Sequence, residues 1–285
     1  MTTPVGPSVP DERGTGATVP TCFRHPGRET YVRCTRCERP ICPDCMTSAS
    51  VGFQCPECIA EGARTLRAPR TVAGGRMAAA EGRVTLTIAA LIGVAFVLQL
   101  AVPGFEERFT EFNYAIAQGE WWRLVTAMFL HVGLLHLAFN LYVLYLVGIP
   151  VERALGRWRY IALYLLSGLG GAAASYALTG PGAAGEGASG AIFGLFAAWW
   201  VTTRRAGGDT KSVTMLIALN LVLSFVLPNI GYWAHLGGLA TGSVLALTFA
   251  YAPRARRTPA ALGMLVLVSA AILATVVLRT AALTA

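Results

Sequence analysis

A serine hydroxyl set among small residues, Gly187-Ala188-Ser189-Gly190, and an imidazole at Ala234-His235 each open an apolar stretch of this chain. Serine is a weak nucleophile until a neighbouring imidazole takes its proton and later hands it to a leaving amine. Ser189 therefore reads as a nucleophile and His235 as its general base. His136 and Asn140, spaced i and i+4 on one helical face, can join the backbone N–H of Ser189 as donors to a developing oxyanion. Of the 4 histidines, His131, His136 and His235 gather at one level, which scattered packing histidines would rarely do. No acid orients the imidazole: Asp209 falls at the opposite end of the helices and Glu186 in a loop, so the set is a dyad rather than a triad.

The elements that must position these groups belong to a membrane. Hydrophobic residues make up 54% of the 285 and charged residues 13%, about half the charge of an ordinary soluble domain. Spans of roughly 20 apolar residues cross the hydrocarbon of a bilayer. The sequence predicts seven, at 84–102, 134–149, 160–178, 189–203, 213–227, 233–251 and 260–278. Polar starts such as Ser189 and His235 sit inside the bundle rather than against lipid.

Loop charge orients the bundle, because cytoplasmic loops carry an excess of Lys and Arg. Arg64, Arg67, Arg70, Arg76 and Arg83 precede the first span. Arg153, Arg157 and Arg159 follow the second, Arg204, Arg205 and Lys211 the fourth, and Arg254, Arg256 and Arg257 the sixth. The alternate connections after spans three and five carry no Lys or Arg. The expected N-terminus is cytoplasmic and the C-terminus extracytoplasmic. Ser189, His235, His136 and Asn140 then enter their helices from outside, at similar depth.

Packing competes with chemistry for the same residues. Gly190 and Gly194 form a small-xxx-small surface of the kind that lets helices approach closely. Gly238 and Gly242 do the same, on the face of His235 at i, i+3 and i+7. The two readings support each other, since close backbones are what would bring Ser189 within reach of its base.

The first 83 residues have a different character and hold all 7 cysteines. Met1 opens a polar stretch with no apolar core, read as a disordered tail over 1–20 and not as a secretory signal. Cys22-x-x-His25, Cys34-x-x-Cys37, Cys42-x-x-Cys45 and Cys55-x-x-Cys58 then supply eight ligands, enough for two tetrahedral zinc ions. A segment of this size has too little core to fold without a staple. Disulfides are the alternative, disfavoured by the cytoplasmic placement and by an odd cysteine number that His25 completes. Both cross-braced and sequential pairing of the four ligand pairs fit the spacing. Closed four-ligand sites leave no position for substrate, so this zinc would be structural and catalysis would use no cofactor.

Beyond these residues, the chain resembles the rhomboid intramembrane serine proteases from about residue 84 to 251. The resemblance rests on Glu120-Trp121-Trp122-Arg123, His131 with His136-Leu137-Ala138-Phe139-Asn140, Glu152-Arg153-Ala154-Leu155-Gly156, Gly187-Ala188-Ser189-Gly190, and the run Gly231 to Gly242 containing Ala234-His235. It implies an all-α polytopic membrane protein with a rhomboid-like six-helix core and one C-terminal transmembrane helix. It also implies Ser189 as nucleophile, His235 as base, His136 and Asn140 as oxyanion partners, Trp122-Arg123 as a structural part of the first loop, and His131 as a group near water access. Phe193 stands where many members place a tyrosine that stacks on the histidine. The cysteine segment looks like a B-box or RING-like finger, which implies cross-bracing: pairs one and three on one ion, two and four on the other.

The expected domains are the tail over 1–20, a zinc-binding module over 21–62, a basic linker over 63–83, the core over 84–251, and a loop with the seventh helix over 252–285. The expected function is cleavage of membrane-protein segments near the outer leaflet of a plasma membrane, and the arginine-rich composition suggests a bacterium. The alternatives are a rhomboid-like protein that binds membrane clients without cutting them, and a transporter, for which no inverted repeat is visible. Partners would be membrane-protein substrates, the lipid bilayer and a cytoplasmic protein bound by the zinc module. Acidic residues interleave the module's arginines, which argues against nucleic acid.

Overall fold

The structure, a computed structural model, describes residues 19–65, 71, 82–226 and 230–285. The predicted tail, apart from Val19 and Pro20, most of the linker, and residues 227–229 of the turn before His235 lie outside the described residues. The chain divides into two compact units, Met1–Ala68 and Pro69–Ala285.

The first unit is built from very short elements. Thr21–Cys22 pairs antiparallel with His25–Glu29, and Thr47–Ser48 with Phe53–Gln54. A helix, Pro56–Thr65, closes the unit. Its buried apolar cluster consists of Ile41 and six cysteines, with Phe23, Cys37 and Met46 packed partly against it. Thiols occupy the place that a small domain's missing apolar core would fill.

The second unit is a helical bundle. Seven helices coincide with the seven predicted spans: α1 Arg83–Ala101, α2 Gly133–Leu155, α3 Arg157–Leu178, α4 Ser189–Arg205, α5 Lys211–Val226, α6 Tyr232–Tyr251 and α7 Arg257–Thr284. Helices α1, α2, α3, α6 and α7 are long and apolar enough to cross a bilayer, and α5 is a shorter apolar helix of 16 residues. This is an all-α polytopic architecture. Leu86, Val94, Val97, Leu100, Val266 and Leu278 point outward from α1 and α7, as residues facing lipid should.

Helix α4 runs through the centre, where every residue from Gly190 to Ala198 is buried. It packs on α6 and α3, and those two pack on each other. Glycine makes this closeness possible. A Cβ at Gly238 would lie 1.9 Å from the carbonyl oxygen of Gly190, and one at Gly242 would lie 2.3 Å from Gly194 Cα. Both obstacles are backbone atoms, so a methyl could enter only by parting α4 from α6. Gly93 on α1 faces open space.

The consequence is testable, because Gly190 adjoins Ser189. Gly238→Ala is expected to cost about 1–3 kcal/mol in overpacking. Misplacement of a reacting group by an ångström costs about 100-fold in rate, so labelling of Ser189 by a fluorophosphonate should fall by that order. Gly93→Ala should leave labelling unchanged and raise the melting temperature slightly, alanine being the better helix former. Melting in detergent, followed in parallel with labelling, checks both.

Two devices fix the ends of the bundle. At one end the buried Glu152 carboxylate accepts from the backbone N–H groups of Val84 and Thr85 at 3.1 and 2.9 Å and from Thr85 Oγ1 at 2.8 Å. A carboxylate at a helix start satisfies orphan donors and complements the helix dipole. At the other end the first loop is ordered around Arg123, which donates to the carbonyls of Glu107 and Thr110 at 2.7 and 2.9 Å and to Glu120 at 2.7 Å. These bonds belong to Arg123, while the neighbouring Trp122 side chain is exposed.

The same loop carries a two-residue strand, Glu111–Phe112, paired antiparallel with Ala184–Gly185 just before Ser189. Glu111 is buried and its Oε1 has no hydrogen-bond partner. Burial pushes this carboxyl up to about 8. Between the ordinary carboxylate range and pH 8 the folded chain therefore holds a proton that the unfolded chain has lost. Stability must fall as pH rises through that window, at up to about 1.4 kcal/mol per pH unit. Glu111→Gln, neutral at every pH, is expected to flatten the dependence of the melting temperature between pH 5 and 8. An unchanged slope would remove Glu111 as its source.

Candidate functional site

Ser189 is the first residue of α4 and His235 lies one turn into α6. Their side chains meet: Ser189 Oγ is 2.7 Å from His235 Nε2. The imidazole is buried and Ser189 is partly exposed, so the hydroxyl is reachable while its partner is sheltered. Phe193, one turn after Ser189, stacks on the imidazole with ring centroids 4.4 Å apart and planes 18° from parallel.

Behind the imidazole stands a group the sequence reading did not single out. Ser224, on α5, places its Oγ 2.6 Å from His235 Nδ1 and donates to the carbonyl of Asn220 at 2.6 Å. The signal available in the sequence was slight: Asn220 and Ser224 are polar residues at i and i+4 in an apolar helix.

The loop that delivers Ser189 is pinned from below. The N–H of Gly187 donates to the Ala127 carbonyl at 2.9 Å, and that of Ala188 to His131 Nε2 at 3.4 Å. His131 is buried and lies beside His136, with ring centroids 5.0 Å apart and planes tilted by 58°. The structure thus makes His131 a backbone anchor beside the serine. Gly187 has φ +134°, and a Cβ there would lie 3.2 Å from His136 Nε2 and 3.8 Å from Ser189 Oγ. A side chain at this position would intrude between the two groups and strain the backbone.

His136 and Asn140 both lie on α2 as expected, His136 beside Gly187. Asn140 is buried and its Nδ2 donates to the His136 carbonyl at 3.0 Å. The amide nitrogen of Ser189, in the first turn of α4, has no intrahelical acceptor. It points out of the positive end of a helix, a setting that favours a developing negative charge.

The first unit gathers the predicted ligands into two groups: Cys22, His25, Cys42 and Cys45, and Cys34, Cys37, Cys55 and Cys58, each with its ligand atoms within 4.8 Å of one another. Pairs one and three meet, and pairs two and four meet, which is the cross-braced arrangement. His25 Nδ1 lies 3.3, 3.4 and 3.8 Å from the sulfurs of Cys42, Cys45 and Cys22. Tetrahedral metal bonds of about 2.3 Å to sulfur and 2.0–2.1 Å to nitrogen give edges of about 3.5–3.8 Å, so the donors fit one metal ion per group. All 7 cysteines are free, as ligation of a metal by thiolate requires.

Comparison with known proteins agrees with the bundle. A family profile described as "Rhomboid domain" matches residues 118–252. The chain is 42% identical over 135 residues to Rhomboid protease GluP of Bacillus subtilis, covering 46% of this chain and 26% of that protein. It is 38% identical over 141 residues to YdcA of the same species, also named as a rhomboid protease, covering 48% of this chain and 71% of YdcA. It is 35% identical over 147 residues to Rhomboid-type serine protease 2 of Emericella nidulans, covering 50% of this chain and 29% of that protein. The chain thus spans most of YdcA but only about a quarter of the length of the other two. A match that covers two thirds of a relative at this identity, laid over a bundle whose α4 and α6 bring a serine to a histidine, means that this multi-pass membrane protein belongs to the rhomboid family.

Proposed function

We propose that this chain is an intramembrane serine endopeptidase that cuts transmembrane segments of other membrane proteins. The observation that carries the reading is the 2.7 Å approach of Ser189 Oγ to His235 Nε2. Ser189 Oγ attacks the scissile carbonyl as its proton passes to His235 Nε2. The tetrahedral oxyanion is held by the backbone N–H of Ser189 together with His136 and Asn140. His235 then protonates the leaving amine, and a water deprotonated by the same imidazole hydrolyses the acyl-enzyme.

In the orientation set by the loop arginines, the dyad opens toward the extracytoplasmic side of a bacterial plasma membrane. Substrate helices with small or polar residues near the outer leaflet would unwind there. The Cys and His clusters hold two structural zinc ions, with all four positions of each filled by protein, in a module that binds a cytoplasmic protein. The domain limits proposed with this reading are the module over 21–62 and the core over 84–251.

A single-span substrate reconstituted with the enzyme in liposomes tests the activity. The wild-type chain should cut it and Ser189→Ala should not, while a fluorophosphonate should label the wild type at Ser189 alone. Equal cutting by Ser189→Ala would remove the assignment. Binding without cutting by the wild type would favour a client-binding protein.

A further inference from the structure

We propose that Ser224 is the positioning residue of the base, setting the tautomer of His235 and supporting its charge once the proton arrives. The inference rests on the assignment of Ser189 and His235 as nucleophile and base.

The polarity of the hydrogen bonds carries it. Ser224 Oγ has one proton and two contacts at 2.6 Å, one to the Asn220 carbonyl and one to His235 Nδ1. A carbonyl oxygen only accepts, so the Ser224 proton lies on that bond and a lone pair of Oγ faces the imidazole. For the second contact to be a hydrogen bond, Nδ1 must carry the hydrogen. In a neutral imidazole Nε2 is then bare, and Nε2 is the atom 2.7 Å from Ser189 Oγ. The nucleophile must therefore point its proton at the base. A carbonyl at the end of the chain fixes the direction of every bond before it: Ser189 to His235, His235 to Ser224, Ser224 to Asn220.

Burial gives the arrangement its weight. Ser224 is 3% exposed and His235 7%, and among the described residues these two serines are the imidazole's hydrogen-bond partners. The opposite tautomer, with hydrogen on Nε2, would leave Ser189 no acceptor for its proton. When Ser189 Oγ forms its bond to the scissile carbon, its proton moves to Nε2 and the imidazolium keeps its Nδ1–H on Ser224. Ser224 gives up no proton and gains no charge. Its hydroxyl, already drawn toward the Asn220 carbonyl, presents a more negative oxygen to the cation. Helix α5 buries only Val213 and Ser224 among its described residues, so this hydroxyl is the helix's single buried polar contribution to the bundle.

The test separates a hydrogen bond from packing. Ser224→Ala removes the acceptor, Ser224→Cys keeps the shape but substitutes a weak acceptor, and Ser224→Thr keeps the hydroxyl. Each is measured with a single-span substrate in liposomes, with thermal melting in detergent to confirm folding. Loss of one bond to a group that becomes charged corresponds to about 10- to 100-fold. The expected result is a loss of that size in kcat for Ala and Cys with KM unchanged, and Thr within about threefold of wild type. Activity of Ser224→Ala equal to wild type, or full rescue by Cys, would overturn the role of Ser224 and leave the dyad standing. If the Thr variant melts lower and loses activity, an unaltered kcat in Ser224→Cys would still overturn the proposal, and a reduced one would support it. Failure of the wild type to cut, or equal cutting by Ser189→Ala, is the separate failure of the dyad itself.

Discussion

The double variant Ser189→Ala/His235→Ala is expected to cut a single-span substrate no more slowly than either single variant, all three lying about 10,000-fold or more below wild type. Residues that act as one unit in nucleophilic catalysis are strongly non-additive, since removing either partner already removes the covalent route. The proposed function treats Ser189 and His235 as such a unit. One bond of 2.7 Å joins them, and no second imidazole or carboxylate among the described residues hydrogen-bonds Ser189 Oγ in place of His235. The single variants should differ in stability, however. Ser189→Ala removes one exposed-side hydroxyl contact. His235→Ala also breaks the bond to Ser224 and the stack on Phe193, leaving a buried hydroxyl facing a cavity. The expected pattern is equal loss of activity with a lower melting temperature only where His235 is replaced. Steady-state cleavage and detergent melting across the four proteins measure it. Multiplying losses in the double variant would mean that the two side chains act independently, and the dyad would have to be abandoned.

Much of this site could be read from the sequence because it is encoded by residue types with few other uses at such places. A histidine opening an apolar helix, a serine between glycines and a glycine on the same helical face three residues after the histidine are rare in membrane spans for any single reason. Their shared level follows from loop arginines and span lengths alone. The structure adds the distances that a one-dimensional pattern cannot hold: the Gly238 to Gly190 approach and the 2.7 Å contact it permits. Ser224 was not legible, because a serine bonded to the carbonyl four residues earlier is common in apolar helices. Only the packing of α5 on α6 turns its remaining lone pair toward an imidazole. The pairing of Glu111–Phe112 with Ala184–Gly185 was hidden for a related reason: strands of two residues carry no period.

Zinc removal should unfold the first unit while leaving the helical bundle intact. Six cysteines and Ile41 make up almost all of that unit's buried apolar cluster, so little else holds its short strands together. Structural zinc contributes about 10–16 kcal/mol of apparent binding free energy in small fingers, far more than surface contacts such as Arg39 with Glu57 at 2.6 Å supply. Full-length protein in detergent should carry two zinc ions per chain. After chelation, trypsin should cut after Arg28, Arg33 or Arg36 within minutes, and the fragment starting near α1 should survive. Paired substitutions then read the connectivity. In the cross-braced arrangement Cys22→Ser/Cys45→Ser strips one centre, whereas Cys22→Ser/Cys37→Ser damages both. Sequential pairing reverses the two outcomes, because Cys22 and Cys37 would then share an ion. Metal content per chain, measured on both double variants beside the wild type, should therefore be higher for the first than for the second. A metal-free unit that resists trypsin would show that the sulfur clusters pack as a core without any ion.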